Sequence, residues 1–296
     1  MWAGGKTKMM RYYAPLLPHR LPPGGLVEPF AGSAALFSHL SLGAGARGEG
    51  PVSAILSDVN AEIMMLYEAV RDDPVRIIDG ARALCVEWAA LTVAQRKTLY
   101  YVLRQRYWDM PLGDPAAIPL LYFLMKTSFN GIWQTCRASG GRFGTPVGLA
   151  TQKAPVIDPE TVMAWSAMLA RTQIMTGDYA ALDVPAGAFV FCDPPYRDSF
   201  TSYGVVFDDR EQRRLVDWCR TIHRERAATV WLSNRDAGDG FFESHAAEAV
   251  LHRFPVTYTA GRRKRSADGY AAKPATELLM VWDHGAAAPC GRRAEF

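Results

Sequence analysis

Phe189-Val190-Phe191-Cys192-Asp193-Pro194-Pro195-Tyr196 is the stretch on which the reading of this chain turns. Its first four residues are apolar without a break. A strand with one wet face alternates apolar and polar residues, so an unbroken run predicts a central strand covered on both faces, as in a parallel sheet. The tetrapeptide behind it then stands at the carboxyl edge of the sheet, where open α/β folds bind ligands. Two successive prolines fix the backbone and remove two N–H donors, which leaves carbonyls to accept hydrogen bonds. Asp193 adds a carboxylate acceptor, and Tyr196 a flat face for stacking. The combination suits a substrate with an amino group on an aromatic ring, such as a base turned out of a helix. The lone pair of such an amine is delocalised. Two acceptors holding its two N–H bonds favour a more tetrahedral nitrogen aimed at an electrophile. The competing reading is a strand that ends in a proline turn.

Outward from this stretch, β-branched apolar runs predict further strands at 26–28, 52–58, 172–176, 228–233, 249–258 and 276–282, with the quoted one at 188–193. Helical patterns lie between several of them. One covers 33–40, opened by Ser33 as an N-cap after a glycine turn; another covers 210–226, opened by Asp208 with Glu211 completing a capping box. Strand–helix alternation at both ends predicts an α/β fold with an open, mostly parallel sheet. The middle differs. From 61 to 125 the patterns are helical, interrupted at Pro74, at Thr92 and over 111–115, and a glycine-rich polar stretch follows over 130–148. The α/β core is therefore split by a helical insertion that ends in a loop. Residues 286–296 read as a disordered tail.

The composition, 49% hydrophobic and 21% charged over 296 residues, is that of an ordinary globular chain. No apolar run approaches the roughly 18–20 residues that cross a bilayer, and the start lacks the basic and apolar regions of a secretory signal. The five cysteines are scattered without a CxxC pair, and the six histidines show no HxxxH spacing, which disfavours a disulfide framework or a structural zinc site and points to a reducing cytoplasm. The net charge of +3 says little by itself. Arg262, Arg263, Lys264 and Arg265 form one basic run, and Arg96, Lys97, Arg104 and Arg106 stand among Tyr100, Tyr101, Tyr107 and Trp108. Either group suits a phosphate-facing surface, although such runs are more often solvated faces.

A second constellation is Val27-Glu28-Pro29-Phe30-Ala31-Gly32-Ser33, a short strand running into a glycine turn that lets a ligand approach the backbone. Beyond it the strand Ile55-Leu56-Ser57 ends in Asp58, at the place where a ribose is commonly gripped through its hydroxyls. Trp2-Ala3-Gly4-Gly5-Lys6-Thr7 superficially suggests a phosphate loop, but it lacks the preceding strand and the earlier glycine of that pattern.

Trp2-Ala3-Gly4-Gly5-Lys6, Glu28-Pro29-Phe30-Ala31-Gly32-Ser33, Phe129-Asn130-Gly131, the stretch 141–148, Asp193-Pro194-Pro195-Tyr196 and Ser233-Asn234 follow the order found in Dam-like N6-adenine DNA methyltransferases. The chain resembles that family from Trp2 to about Trp282. The resemblance implies methyl transfer from S-adenosylmethionine to adenine N6 in a flipped base, on a Rossmann-like sheet carrying a helical target-recognition insertion. It implies a catalytic, cofactor-binding domain over 1–59 and 151–285, with 60–150 reading DNA. Trp2, Ala3 and Lys6 would help form the cofactor pocket, together with Glu28 and Pro29. Phe30, Gly32 and Ser33 would hold the amino-acid part of the cofactor, Asp58 its ribose, and Asp178 and Tyr179 would lie near its adenine.

By the same resemblance Asp193, which also borders the cofactor, would orient the target amine with the Pro194 carbonyl. Pro195 would keep the motif rigid, and Tyr196 would stack on the base. Lys126, Asn130, Gln134, Arg137 and Arg142 are candidate DNA contacts, as are Arg262, Arg263, Lys264 and Arg265; their competing reading is a polar loop around a glycine-rich turn. No metal is required. GATC-reading relatives tend to carry arginine where Gln134 stands, which leaves the target sequence open. The expected partner is double-stranded DNA, the expected state a monomer, and the expected setting a bacterial or phage-encoded enzyme in the cytoplasm with no membrane association. The alternatives are methylation of cytosine N4 or of RNA, or a silent binder built on the same fold.

Overall fold

The computed structural model describes residues 6–148, 157–197, 207–258, 265–266, 269–270 and 273–284. Along them run helix α1 (Met10–Tyr13), strand β1 (Leu26–Glu28), α2 (Ala35–Ala46) and β2 (Ala54–Asp58). Four helices follow: α3 (Ala61–Asp72), α4 (Pro74–Ala89), α5 (Val93–Asp109) and α6 (Ala117–Thr127). Next come α7 (Pro159–Leu169), β3 (Thr172–Thr176), β4 (Phe189–Cys192), α8 (Asp209–Arg226) and β5 (Thr229–Asp236). The chain continues with α9 (Phe241–His245), β6 (Val250–Tyr258), β7 (Arg265–Ser266), β8 (Gly269–Tyr270) and β9 (Lys273–Trp282). The expected tail over 286–296 lies outside the described residues.

The described chain divides into two compact units. One holds residues 6–10, 31–148 and 157–178, so that β2, β3 and helices α2 to α7 belong to it. Its two strands pair in parallel, Ala54 with Thr172 through Asp58 with Thr176. The four helices α3 to α6 start and stop where local chemistry dictates. Asn60 caps α3 by accepting from the Glu62 and Ile63 N–H groups. Pro74 sits in the first turn of α4, where its missing N–H costs nothing, behind Asp73 as cap. Thr92 opens α5 with a complete capping box to Gln95. The polar stretch after α6 doubles back on itself, with antiparallel bridges joining Ser128 to Val147 and Thr135 to Phe143.

The other unit holds residues 11–30 and those from 179 onward that are described. Its sheet has the order β1-β4-β5-β9-β6. β1, β4 and β5 are parallel, whereas β9 runs antiparallel to both β5 and β6. The α/β class is as expected, with the parallel part confined to strands joined by long crossovers. An 18-residue helix returns the chain from β4 to β5, but no long helix is described between β6 and β9, and neighbouring strands without a crossover pair antiparallel. β4 is buried along its whole length, 2% exposed at most.

Two helix starts depart from expectation. Ser33 does not cap α2. The cap position is Ala34, at φ +46° with no side-chain hydrogen bond, and the helix begins one residue later. The turn is closed by backbone instead, Ala34 N–H to Ala31 carbonyl at 2.5 Å. At α8 only half of the box forms. Asp208 accepts from the Arg210 and Glu211 N–H groups, while the Glu211 carboxylate turns along the helix to Arg214.

Candidate active site

Asp193 leaves the end of β4 and meets Ser233 of the neighbouring β5. The Ser233 hydroxyl donates to Asp193 Oδ1 at 2.9 Å and lies 3.2 Å from the Cys192 carbonyl. The next residue of β5 points to the other face of the sheet, as strand alternation requires. There Asn234 Nδ2 donates to Gln212 Oε1 at 3.0 Å, and Gln212 Nε2 donates to the Pro195 carbonyl at 2.9 Å. The Arg197 N–H closes the circuit on Asn234 Oδ1 at 3.0 Å. Gln212 and Asn234 are both fully buried, so each amide depends on these bonds for its stability. The Arg197 side chain pairs with Asp209 at 2.7 Å and with Asp239, and lies 4.2 Å over the Phe241 ring. The segment 193–197 is thereby held at several points. Of the two proline carbonyls, that of Pro195 is occupied by Gln212, while among the described residues nothing donates to that of Pro194.

Tyr196 is part-exposed as a residue, but its hydroxyl is enclosed and donates to Glu277 Oε1 at 2.5 Å. Burial pushes its pKa well above the ordinary phenol value, and the nearby Asp193 and Glu277 carboxylates push in the same direction. The hydroxyl therefore remains a neutral donor. In the same unit, Phe30 follows buried Glu28 and Pro29 and meets Tyr179 at 5.2 Å and Phe207 at 5.8 Å. Tyr179 is 3% exposed, with Trp218 at 5.4 Å and the Arg214 guanidinium 4.8 Å over its ring. Phe30 and Tyr179, proposed from distant motifs, thus share one aromatic cluster.

In the unit that carries β2, the Asp58 carboxylate organises the glycine turn. Oδ2 accepts from the Gly32 N–H and Oδ1 from the Asn60 N–H, each at 2.9 Å. Tyr67 donates to the Gly32 carbonyl at 2.9 Å. Gly32 has φ +44°, a conformation that favours glycine, and a Cβ there would meet no atom within 4 Å. Crowding by protein atoms raises the Asp58 pKa, opposed by the Asn60, Gly32 and Val59 N–H groups. Asp178 follows Gly177, whose N–H reaches the Asp58 carbonyl at 3.1 Å. Ser33 is part-exposed, and Lys6 is buried at 7% exposure.

The DNA-contact candidates separate into two groups. Lys126, Asn130 and Arg137 are exposed and Gln134 is half-buried; Asn130 has φ +54°. The Arg142 side chain, 14% exposed, is engaged inside the protein. Its Nε contacts Glu62 Oε1 at 3.1 Å, its Nη1 donates to the Met110 carbonyl at 2.6 Å, and its guanidinium lies 4.2 Å over Tyr107. Glu62, 5% exposed, also accepts from the Tyr107 hydroxyl and, at 2.8 Å, from the Phe143 N–H.

One side of α5 completes the support. Trp108 Nε1, Arg104 Nη1 and the Tyr100 hydroxyl donate to the consecutive carbonyls of Phe143, Gly144 and Thr145 at 2.8, 2.9 and 2.7 Å. Arg96 likewise reaches the Trp88 and Ala89 carbonyls. Two cations of the supposed phosphate-facing group therefore hold backbone, while Lys97 and Arg106 are exposed. Trp2, Ala3, Arg262, Arg263 and Lys264 lie outside the described residues, and Arg265 opens β7.

Three residues with a hand in these arrangements were not singled out in the sequence: Glu62, Gln212 and Glu277. Glutamate in a first helical turn ordinarily serves the helix dipole, and nothing in a sequence distinguishes a buried amide from an exposed one. Glu277 carries the nearest thing to a clue, a charge inside an apolar strand. Among the described residues no group of His, Cys, Asp and Glu has the arrangement of a metal site, and no helix is long and apolar enough to cross a membrane.

A family model described as D12 class N6 adenine-specific DNA methyltransferase matches residues 2–256. The chain is similar to the Type II methyltransferase M.MjaIII of Methanocaldococcus jannaschii, 29% identical over 279 residues that cover 89% of this chain and 93% of that one. It is 26% identical to the Retron Ec67 DNA adenine methylase of Escherichia coli over 95% of this chain and 89% of the other. It is also 26% identical to a DNA adenine methylase of Salmonella typhi, over 97% and 96%.

Proposed function

The chain belongs to the D12 class of N6 adenine-specific DNA methyltransferases, and from that premise we propose how its residues carry out methyl transfer to adenine N6 in DNA. The fold is accordingly the Rossmann-like one of methyltransferases. We infer that the methyl donor is S-adenosylmethionine, as in DNA methyltransferases generally. Each unit by itself offers groups that suit it: in one, a carboxylate at a strand end for ribose hydroxyls and a glycine turn with open space beside it; in the other, clustered aromatic rings for a purine. Asp58 would hold the ribose; Gly32, Ser33 and Phe30 the amino-acid part; Asp178 and Tyr179 the adenine; Trp2, Ala3, Lys6, Glu28 and Pro29 the surroundings. When bound, the cofactor supplies an electrophilic methyl group on sulfur.

Asp193 and the Pro194 carbonyl accept the two N–H bonds of the target amine, and Pro195 keeps the turn rigid. Ser233 fixes the rotation of the Asp193 carboxylate, while the Gln212–Asn234 circuit fixes the backbone, so the acceptors need no rearrangement when positive charge develops on nitrogen. Holding the amine in line with its electrophile supplies the remaining advantage. The proton leaves after transfer, so Asp193 need not be a strong base. Tyr196 stacks on the flipped adenine. The observation that carries this reading is the Pro194 carbonyl, which no donor among the described residues meets, beside a carboxylate steadied by Ser233.

Segment 60–150 reads double-stranded DNA, with Lys126, Asn130, Gln134 and Arg137 facing it and Arg142 holding the loop from within. The run Arg262–Arg265 adds phosphate contacts, segments 1–59 and 151–285 form the catalytic domain, and a monomer suffices for one base. The test is transfer of labelled methyl from S-adenosylmethionine to unmethylated duplex DNA and, separately, to RNA, with digestion to nucleosides. N6-methyladenine from the DNA is expected. Label in cytosine, or in RNA alone, overturns the reading.

A further inference from the structure

Glu277 lies in β9 and is fully buried, as are Leu278, Leu279 and Met280 after it. A carboxylate in such a setting is costly unless donors meet it. Two tyrosine hydroxyls do so on one oxygen: Tyr196 at 2.5 Å and Tyr13 at 2.8 Å, both onto Oε1. Tyr13 comes from α1 and is itself fully buried, packed edge-on against Phe191, Trp231 and Phe254 at 6.1, 6.1 and 5.8 Å. Its hydroxyl is a fixed donor, and it pins the carboxylate that Tyr196 uses.

Stacking on a base needs only a ring, which phenylalanine would provide. The Tyr196 hydroxyl therefore calls for a separate reason. A phenolic hydrogen lies in the plane of its ring, so an acceptor at a fixed point sets both where the far end of the ring sits and which way its face turns. We propose that Glu277 is a positioning residue for catalysis: held by Tyr13, it fixes the plane in which Tyr196 meets the flipped adenine. The inference rests on Tyr196 being the stacking residue.

The experiment compares Tyr196→Ala, Tyr196→Phe, Glu277→Gln and the double variant Tyr196→Phe/Glu277→Gln in the full-length enzyme. Duplex DNA carries 2-aminopurine at the target position for the binding readout and adenine for kinetics. Tyr196→Phe, which removes the bond, is expected to lower kcat about tenfold, the scale of one hydrogen bond to a charged group; Glu277→Gln, whose amide oxygen still accepts but without charge, should lower it less. The double variant is expected to fall no further than Tyr196→Phe alone, since Glu277→Gln acts on Tyr196 only through the same bond. The 2-aminopurine lifetimes should broaden alike in Tyr196→Phe and the double variant and less in Glu277→Gln, with cofactor affinity unchanged. Wild-type kcat in Tyr196→Phe, or multiplicative losses in the double variant, overturns the role of Glu277. Wild-type kcat in Tyr196→Ala overturns the stacking reading itself. If Glu277→Gln fails to fold, Tyr196→Phe and Tyr13→Phe carry the test: both should lower kcat, Tyr13→Phe the less, and wild-type kcat in either overturns the proposal.

Discussion

Replacing Glu62 with alanine removes the acceptor that ties the loop over 128–148 to the helices beneath it. The carboxylate receives the Tyr107 hydroxyl, the Phe143 N–H and Arg142 Nε, and the Arg142 and Glu62 side chains are only 14% and 7% exposed. Burial pushes the Tyr107 phenol well above its ordinary range, so it stays a donor at any working pH. Each buried donor left without a partner costs about 1–3 kcal/mol, and breaking a buried ion pair from one side costs about 3–5 kcal/mol. These overlap, because Arg142 keeps its bonds to the Met110 and Trp108 carbonyls. The expected loss is therefore about 3–5 kcal/mol, or roughly 10 °C in Tm at about 2–4 °C per kcal/mol for a chain of this size. Differential scanning calorimetry measures it. The α5 side chains still hold three carbonyls of the loop, so the fold should survive with a loosened loop and a raised KM for DNA. Cofactor affinity should hold. A Tm within about 2 °C of wild type, or a loss confined to cofactor binding, would refute the reasoning.

Three further outcomes follow from the site. Gly32→Ala puts an alanine at φ +44°, which costs about 1–2 kcal/mol of backbone strain; calorimetry should show only a few degrees, while isothermal titration should show at least about tenfold weaker cofactor binding if the open space beside Gly32 receives the cofactor. The raised pKa of Asp58 makes cofactor affinity pH-dependent: ribose hydroxyls favour the ionised form, so affinity should fall as pH falls through that pKa, by up to about tenfold per unit, and Asp58→Asn should flatten the profile. For folding the sign is the reverse, since a raised carboxyl pKa stabilises most below the unfolded value and loses that contribution as pH rises through the folded one. Gln212→Leu strips the Pro195 carbonyl of its donor and Asn234 of its acceptor; steady-state kinetics should show kcat down about tenfold or more with cofactor affinity near wild type.

Much of this architecture was legible because some residues act locally. Pro74 cannot continue a helix but can begin one, and Thr92 with Gln95 satisfies the first N–H groups of α5 regardless of what packs around them. The unbroken apolar run of β4 likewise demanded cover on both faces. The antiparallel setting of β9 was not legible, since strand direction depends on the connection rather than on the strand. Ser33 looked like a cap, but a backbone turn through Ala34 took its place. Burial explains the remaining misreadings. Arg104 and Arg142 sit among aromatic residues, the composition of a nucleic-acid surface, yet their guanidinium groups hold carbonyls and a buried carboxylate. A sequence shows that Glu62 and Glu277 are charged, and only packing shows that their charges face inward.

The central claim is that Asp193 orients the target amine, and one variant tests it. Asp193→Ala should be assayed for N6-methyladenine formation in duplex DNA and, on the same preparation, for S-adenosylmethionine affinity by titration. Loss of one preorganised acceptor should lower kcat at least about a hundredfold while cofactor affinity largely survives. Turnover that matches the wild type would contradict the account.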